Sequence, residues 1–185
     1  MMSRKIYQFK VTLRGLRPPI WRRFQVHDDL TFYQFHRVLQ GVMGWYDGHL
    51  HAFDVGGWQI TDKETLDEGW SDGEDERKAK LNKFVRQEGQ KFRYEYDFGD
   101  SWDHDILLEK ILPVEAGVFY PRCLKGKRAC PPEDCGGVWG YEELLEALSD
   151  ENHPEHEEYN DWIGEIDPEE FDLEAINDIL QDEWK

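Results

Sequence analysis

Residues 92–112, FRYEYDFGDSWDHDILLEKIL, decide the fold. Phe92, Tyr94, Tyr96 and Phe98 alternate with Arg93, Glu95 and Asp97, the two-residue period of a strand with one buried face. Gly99-Asp100-Ser101 supplies a turn, and on the return Trp102, His104, Ile106 and Leu108 alternate with Asp103 and Asp105. The spacing predicts an antiparallel hairpin, 94–98 against 102–108, with Tyr94, Tyr96, His104 and Ile106 inward. A one-residue slip would turn every apolar side chain to solvent, so the register is tightly specified. A hairpin this apolar belongs at the centre of a sheet.

Upstream, Tyr7, Phe9, Val11 and Leu13 alternate with Gln8, Lys10 and Thr12. Past Gly15, Pro18 and Pro19, Ile20, Arg22 and Phe24 alternate with Trp21, Arg23 and Gln25, giving two strands joined by a tight loop. Thr31 with Gln34 forms a capping-box pattern. Phe32, Phe35, Leu39, Val42 and Met43 follow at helical spacing up to Gly44, a C-terminal stop. Strand signals return at 50–55 and 58–61, then an acidic loop is expected over 62–80 and a short helix from about Arg77 to Gln87. Residues 113–140 are rich in Gly, Pro and Cys and have no period. Beyond them three helical segments are expected, the second over 152–164 and the last opened by Asp167-Pro168-Glu169-Glu170.

Strands early and helices late define an α+β fold: a mostly antiparallel sheet with an early amphipathic helix and a C-terminal group of helices on one face. We expect 1–185 to be a single domain, divided into a strand-strand-helix-strand unit (1–61), the acidic loop (62–80), the central hairpin (92–112), the Cys/Pro/Gly-rich loop (113–140) and an acidic helical part (141–183). There is no internal repeat.

The formal charge of −18 is unevenly spread. Residues 1–50 hold eight Lys/Arg against three Asp/Glu, whereas residues 142–185 hold one against 18. Such a surface repels phosphate backbones, so no duplex DNA binding by the chain alone is expected. Arg14, Arg17, Arg22 and Arg23 form its one basic cluster. The acidic tail reads as solvated helix faces or as a docking site for a basic protein partner. No apolar run approaches the roughly 20 residues a membrane span requires. Met1-Met2-Ser3-Arg4-Lys5-Ile6 leads straight into strand alternation without a signal-like apolar region, and three Cys fit a reducing compartment; a cytoplasmic location is expected.

Three constellations could carry chemistry. Cys123, Cys130 and Cys135 lie in the unpatterned loop, which is long for an unconstrained segment of a compact domain. They read either as small packed thiols or as Zn²⁺ ligands, with His104 the first choice for the fourth position and His49, His51, His153 and His156 open alternatives. The turn 94–105 gathers four Asp and His104, a set able to bind a divalent ion or act as an acid–base pair. On a strand, however, Asp103 and Asp105 face away from His104, which then reads as a hydrogen-bonded core histidine. His49-Leu50-His51 would project both imidazoles from one face of a strand, and His36 falls in the helix stripe, where it packs. Trp45, Trp139 and Trp162 lie at element ends and offer a binding surface, or cap the core edges. Walker, dinucleotide, Gly-x-Ser-x-Gly and His-Glu-x-x-His motifs are missing.

Three stretches, YQFKVTLRGLRPPIWRRFQV, YEYDFGDSWDHDILLEKI, and YPRCLKGKRACPPEDCGGVWGYEELLEAL followed by HPEHEEYNDW, together resemble the plasmid pRiA4b ORF-3-like family, also described as TnpR-type passenger proteins of insertion elements. The resemblance spans roughly Lys5 to Leu180. It implies a compact α+β domain of prokaryotes, often near mobile elements, with no established activity and no catalytic residue to carry over. The leading expectation is therefore an accessory or binding module for a protein or small ligand. The alternative is a metal-dependent hydrolase using the Asp-rich turn and a nearby His.

Overall fold

The computed structural model describes residues 4–185, so Met1, Met2 and Ser3, part of the amino-terminal reading, lie outside it. The described residues form six helices and one eight-stranded sheet. The strands are β1 (Lys5–Leu13), β2 (Ile20–His27), β3 (His51–Val55), β4 (Trp58–Thr61), β5 (Glu74–Asp75), β6 (Lys91–Tyr96), β7 (Trp102–Pro113) and β8 (Arg122–Lys127). Their order is β5-β4-β3-β6-β7-β1-β2-β8, antiparallel throughout except for β4 with β5. The fold is α+β, and the hairpin β6-β7 occupies the middle of the sheet.

That hairpin pairs Tyr94 with His104 and Tyr96 with Trp102, and all four side chains are fully buried. β6 stops at Tyr96, two residues earlier than the alternation suggests, because Asp97 takes a left-handed φ of 58°. The turn thereby rotates Phe98 outward and Asp97 inward.

Helix α1 (Phe32–Met43) begins with the full capping box of Thr31 and Gln34 and ends on left-handed Gly44. Its buried Phe32, Phe35, Val38, Leu39 and Val42 lie on the sheet face that carries Phe9, Phe24, Phe53 and Phe92. Each such side chain contributes roughly 1.5–3 kcal/mol on leaving water. Phe35 is the hub, with ring centroids 4.9 Å from Phe9 and 5.9 Å from Phe53.

Residues 62–80 are not one loop. Asp62 caps a short helix, α2 (Lys63–Asp67), accepting from the Thr65 amide, and β5 then adds the sheet's parallel edge. Of the helix expected from Arg77, one turn forms, α3 (Leu81–Phe84); Lys80 bridges to Thr31 instead of continuing a helix. The Cys/Pro/Gly-rich stretch contains β8, whose pairing with β2 needs a bulge and so leaves no clean period. The remaining helices are α4 (Gly137–Ser149), α5 (His156–Ile163) and α6 (Leu173–Trp184). Asp167-Pro168 forms a turn, and Asp172 supplies the cap of α6. α6 packs on α1 through Leu180 against Gly41, and Asn177 satisfies both the N–H and the C=O of Cys123 on edge strand β8. An otherwise open sheet edge is thus closed. No helix among the described residues is long and apolar enough to cross a membrane.

Candidate functional site

Three loops meet at the sheet end where β3 starts and β6 finishes: residues 44–50 after α1, the turn 97–101, and residues 130–136 before α4. They carry an outer cluster of ionisable side chains around His49 and contribute Asp47 to an inner one built on α1, β3 and β6.

The inner cluster is a closed cycle of hydrogen bonds. Gln40 Nε2 donates to the Tyr94 hydroxyl (2.9 Å), which meets His36 Nδ1 (2.8 Å). His36 Nε2 meets Asp47 Oδ1 (2.6 Å), and the Asp47 amide returns to Gln40 Oε1 (2.7 Å). Every donor finds an acceptor only if Tyr94 donates to Nδ1 and His36 carries its proton on Nε2, as a neutral imidazole. Burial holds His36 below the usual imidazole range, although the Asp47 carboxylate opposes it. The bond from His36 in turn holds Asp47 below the usual carboxylate range, and burial pushes the Tyr94 phenol well up. Beside the cycle His51 Nε2 lies 2.6 Å from buried Glu76.

The outer cluster surrounds His49. Its Nε2 lies 3.0 Å from Asp134 Oδ1, 3.6 Å from Asp97 Oδ2 and 3.7 Å from Glu133 Oε2, and none of these contacts has hydrogen-bond geometry. Two of the carboxylates are held from behind. Asp97 Oδ1 accepts the amides of Gly99 (2.9 Å) and Asp100 (3.3 Å). Glu133 Oε1 accepts the Tyr46 amide (2.7 Å) and the Tyr96 hydroxyl (3.1 Å), while the Gly48 amide donates to Tyr96 (3.0 Å). Asp97 therefore spends one oxygen on fixed donors and turns the other toward His49, whereas Glu133 Oε2 also accepts the Tyr96 hydroxyl (3.3 Å). Asp47, Asp97 and Asp134 all hold left-handed φ values near 56–58°, strained for residues with a Cβ.

Ligand atoms of His49, Asp97 and Asp134 lie within 4.8 Å of one another, as do those of His36, Asp47 and His51. Among the described residues no such group of three includes a cysteine. Cys123 Sγ contacts the carbonyls of Arg23 and Lys125, and Cys135 is buried in the core. His104 is fully buried on β7, its Nδ1 3.2 Å from the Tyr94 carbonyl and its Nε2 without a protein partner. Burial lowers its pKa to about 4. His49 and His51 do not share a ligand position: β3 begins only at His51, so the loop aims His49 at the outer cluster and His51 at the inner one. His156 meets the Ala147 carbonyl, and His153 accepts the Glu155 amide. Trp45 is only 5% exposed and packs against Tyr96 and Trp102, whereas Trp139 and Trp162 are 80% and 50% exposed on α4 and α5. The arginine cluster is split by strand alternation, with Arg22 buried and donating to the Val42 carbonyl while Arg23 faces the other side.

Sequence reading placed His49, His51 and Asp97 among the candidates and His36 in the packed helix stripe, but passed over Asp47, Glu76, Glu133 and Asp134. Glu133 and Asp134 stand in Pro131-Pro132-Glu133-Asp134, inside the cysteine loop, where the thiols drew the weight.

An antiparallel sheet closed by α1 and α6, with a polar loop cluster at one end, is the architecture of a defined family. The chain belongs to the plasmid pRiA4b ORF-3-like proteins, whose family model matches residues 5–175. It is 40% identical over 181 residues to the uncharacterized protein y4hQ of Sinorhizobium fredii (strain NBRC 101917 / NGR234), covering 95% of this chain and 88% of that protein. The crystal structure of protein of unknown function MM3350 from Methanosarcina mazei Go1 is also similar, at TM-score 0.82 and 43% identity over 93% of this chain and 97% of that one.

Proposed function

We propose that the protein is a divalent-cation-binding module, with the ion held by His49 Nε2, Asp97 Oδ2 and Asp134 Oδ1. The observation that carries this reading is the convergence of His49 Nε2 with Asp134 Oδ1 at 3.0 Å and Asp97 Oδ2 at 3.6 Å, all three ligand atoms lying within 4.8 Å of one another. Metal–ligand bonds of about 2.0–2.2 Å put neighbouring ligand atoms roughly 3–3.6 Å apart. The Asp97 and Asp134 carboxylates repel at this separation, and an imidazolium would offset only one of their charges, whereas a dication offsets both. One nitrogen and two carboxylate oxygens suit Mn²⁺ or Zn²⁺ better than Mg²⁺ or Cu⁺. The backbone amides behind Asp97 supply the outer support that such a ligand uses.

A second reading, metal-assisted hydrolysis, rests on the exposure of this site: Asp134 has a side-chain exposure of 69%, leaving one side open to a water or substrate oxygen. Dialysis against chelator followed by Mn²⁺ titration, read by loss of the free-ion paramagnetic resonance signal, tests the binding. One ion per chain is expected, with Asp97→Asn weakening it at least about tenfold. Wild-type protein that leaves the Mn²⁺ signal unchanged, or Asp97→Asn binding as tightly, defeats the proposal. A metal-stimulated release of product from a phosphoester or peptide panel, lost in Asp97→Asn, would establish the hydrolytic form.

A further inference from the structure

The face of the sheet turned away from α1 carries a charge opposite to that of the whole chain. Ladder partners point to the same side of a sheet. The register sets Lys10 opposite Arg23, Arg23 opposite Lys125, Trp21 opposite Lys127, and Gln25 opposite Arg122. Lys10, Trp21, Arg23, Arg122, Lys125 and Lys127 therefore share one face across β1, β2 and β8, with Lys125 and Lys127 exposed and the other four partly buried. Facing cations destabilise a ladder, and here only Arg23 is fully compensated, by Glu109 at 2.7 and 2.9 Å. Arg122 reaches exposed Glu115 at 3.8 Å. Lys10, Lys125 and Lys127 have no carboxylate within 4 Å among the described residues. The Lys10 ammonium and the Arg23 guanidinium lie 4.8 and 5.4 Å from the Trp21 ring centroid. One strand further in, Asp103 and Asp105 are engaged by Arg93 and Arg14.

We infer that this face binds single-stranded nucleic acid, with phosphates on the lysines and a base stacked at Trp21. A sheet face has no projecting element to enter a duplex groove, but it can lay out an unpaired strand over an aromatic side chain set among cations. An acidic peptide would satisfy the lysines but would gain nothing from the Trp21 ring, which Lys10 and Arg23 already flank. The net charge of −18 does not prevent this, because screening acts over about 8 Å at physiological salt and, among the described residues, only Glu109 and Glu115 come within 4 Å of these cations.

The test is fluorescence anisotropy with a labelled oligothymidylate at low salt. Contact with about four phosphates gives a slope of log affinity against log salt near −3. Lys125→Glu with Lys127→Glu, both on exposed side chains, should weaken binding at least about tenfold and make the slope shallower by roughly 1.4. Trp21→Ala should weaken binding about fivefold or more while leaving the slope unchanged. Circular dichroism confirms that both variants fold. The inference is overturned by a flat anisotropy titration, by unaltered binding in the lysine variant, by equal affinity for a duplex of the same length, or by polyglutamate competing as well as the oligonucleotide does.

Discussion

His36 and His51 stack face to face, with ring centroids 3.5 Å apart and 3° between their planes. Each also meets a carboxylate, Asp47 or Glu76, at 2.6 Å. Parallel rings at this separation direct their in-plane lone pairs side by side rather than toward one point. The pair is therefore poorly shaped to share an ion, unlike the convergent atoms around His49. Two facing imidazolium rings would repel, so the stack suits neutral or singly charged histidines.

Acidification should destabilise the fold. His36 and His104 both titrate lower in the folded chain than in the unfolded one, because burial penalises the charged ring. The unfolded chain then binds more protons below about pH 6.5, so stability is intact above that value and falls as the pH drops toward the folded pKa. With His104 shifted to about 4, its share of the loss between pH 7.5 and 5 is about 2 kcal/mol. Urea unfolding at the two pH values measures this, and His104→Gln should flatten the dependence. A stability that rises on acidification would contradict the assignment.

Breaking the hydrogen-bond cycle should cost both stability and ion binding. Gln40→Leu removes the donor to Tyr94 and the acceptor for the Asp47 amide, leaving buried polar groups unpaired at about 1–3 kcal/mol each. Asp47 and His49 share one loop, so the same change should lower Mn²⁺ affinity as well. Denaturant titration and Mn²⁺ titration of one preparation separate the two effects. Lost stability with unchanged ion affinity would show that the cycle does not position His49.

The α1 boundaries, the β6-β7 register and the burial of His104 were legible because each depends on local period or capping chemistry. Thr31, Gln34 and Gly44 act within one helix, and Tyr94 faces His104 across one turn. The site was only partly legible. Its ligands come from three loops distant in sequence, and loops have no period to betray where a side chain points. His49-Leu50-His51 was visible as a motif, but its division between two clusters depends on where β3 begins. Glu76 escaped notice because its burial follows from the parallel pairing of β5, a two-residue strand without a pattern of its own.

The first turn of α4 should tolerate no side chain at Gly137 or Gly140. A Cβ on Gly140 would collide with the Cys135 carbonyl, and one on Gly137 would sit 2.5 Å from the Asp100 carbonyl at φ +71°. These contacts pin the loop carrying Glu133 and Asp134 against the turn carrying Asp97, where the Gly136 amide also donates to Asp100 Oδ2 (3.1 Å). Gly140→Ala should lower stability by several kcal/mol or displace the loop, abolishing ion binding in either case. Gly117→Ala, at an open loop with nothing near its Cβ, is the comparison and should leave ion binding unchanged.

The cysteines and the carboxylates predict different outcomes for one pair of variants. Burial pushes the Cys123 thiol to about 11 and Cys135 to about 12, and raises Cys130 well above the usual thiol range. In the metal-free fold all three should stay protonated near pH 8, and a protonated thiol is a poor nucleophile. The native protein should then react slowly with a disulfide reagent at pH 8 and give all three thiols at once on unfolding. Cys130→Ser should retain the ion stoichiometry of the wild type, whereas Asp97→Asn should lose it. Rapid native thiol labelling that bound zinc suppresses, with the ion lost in Cys130→Ser and kept in Asp97→Asn, would move the metal centre from the His49 cluster to Cys123, Cys130 and Cys135.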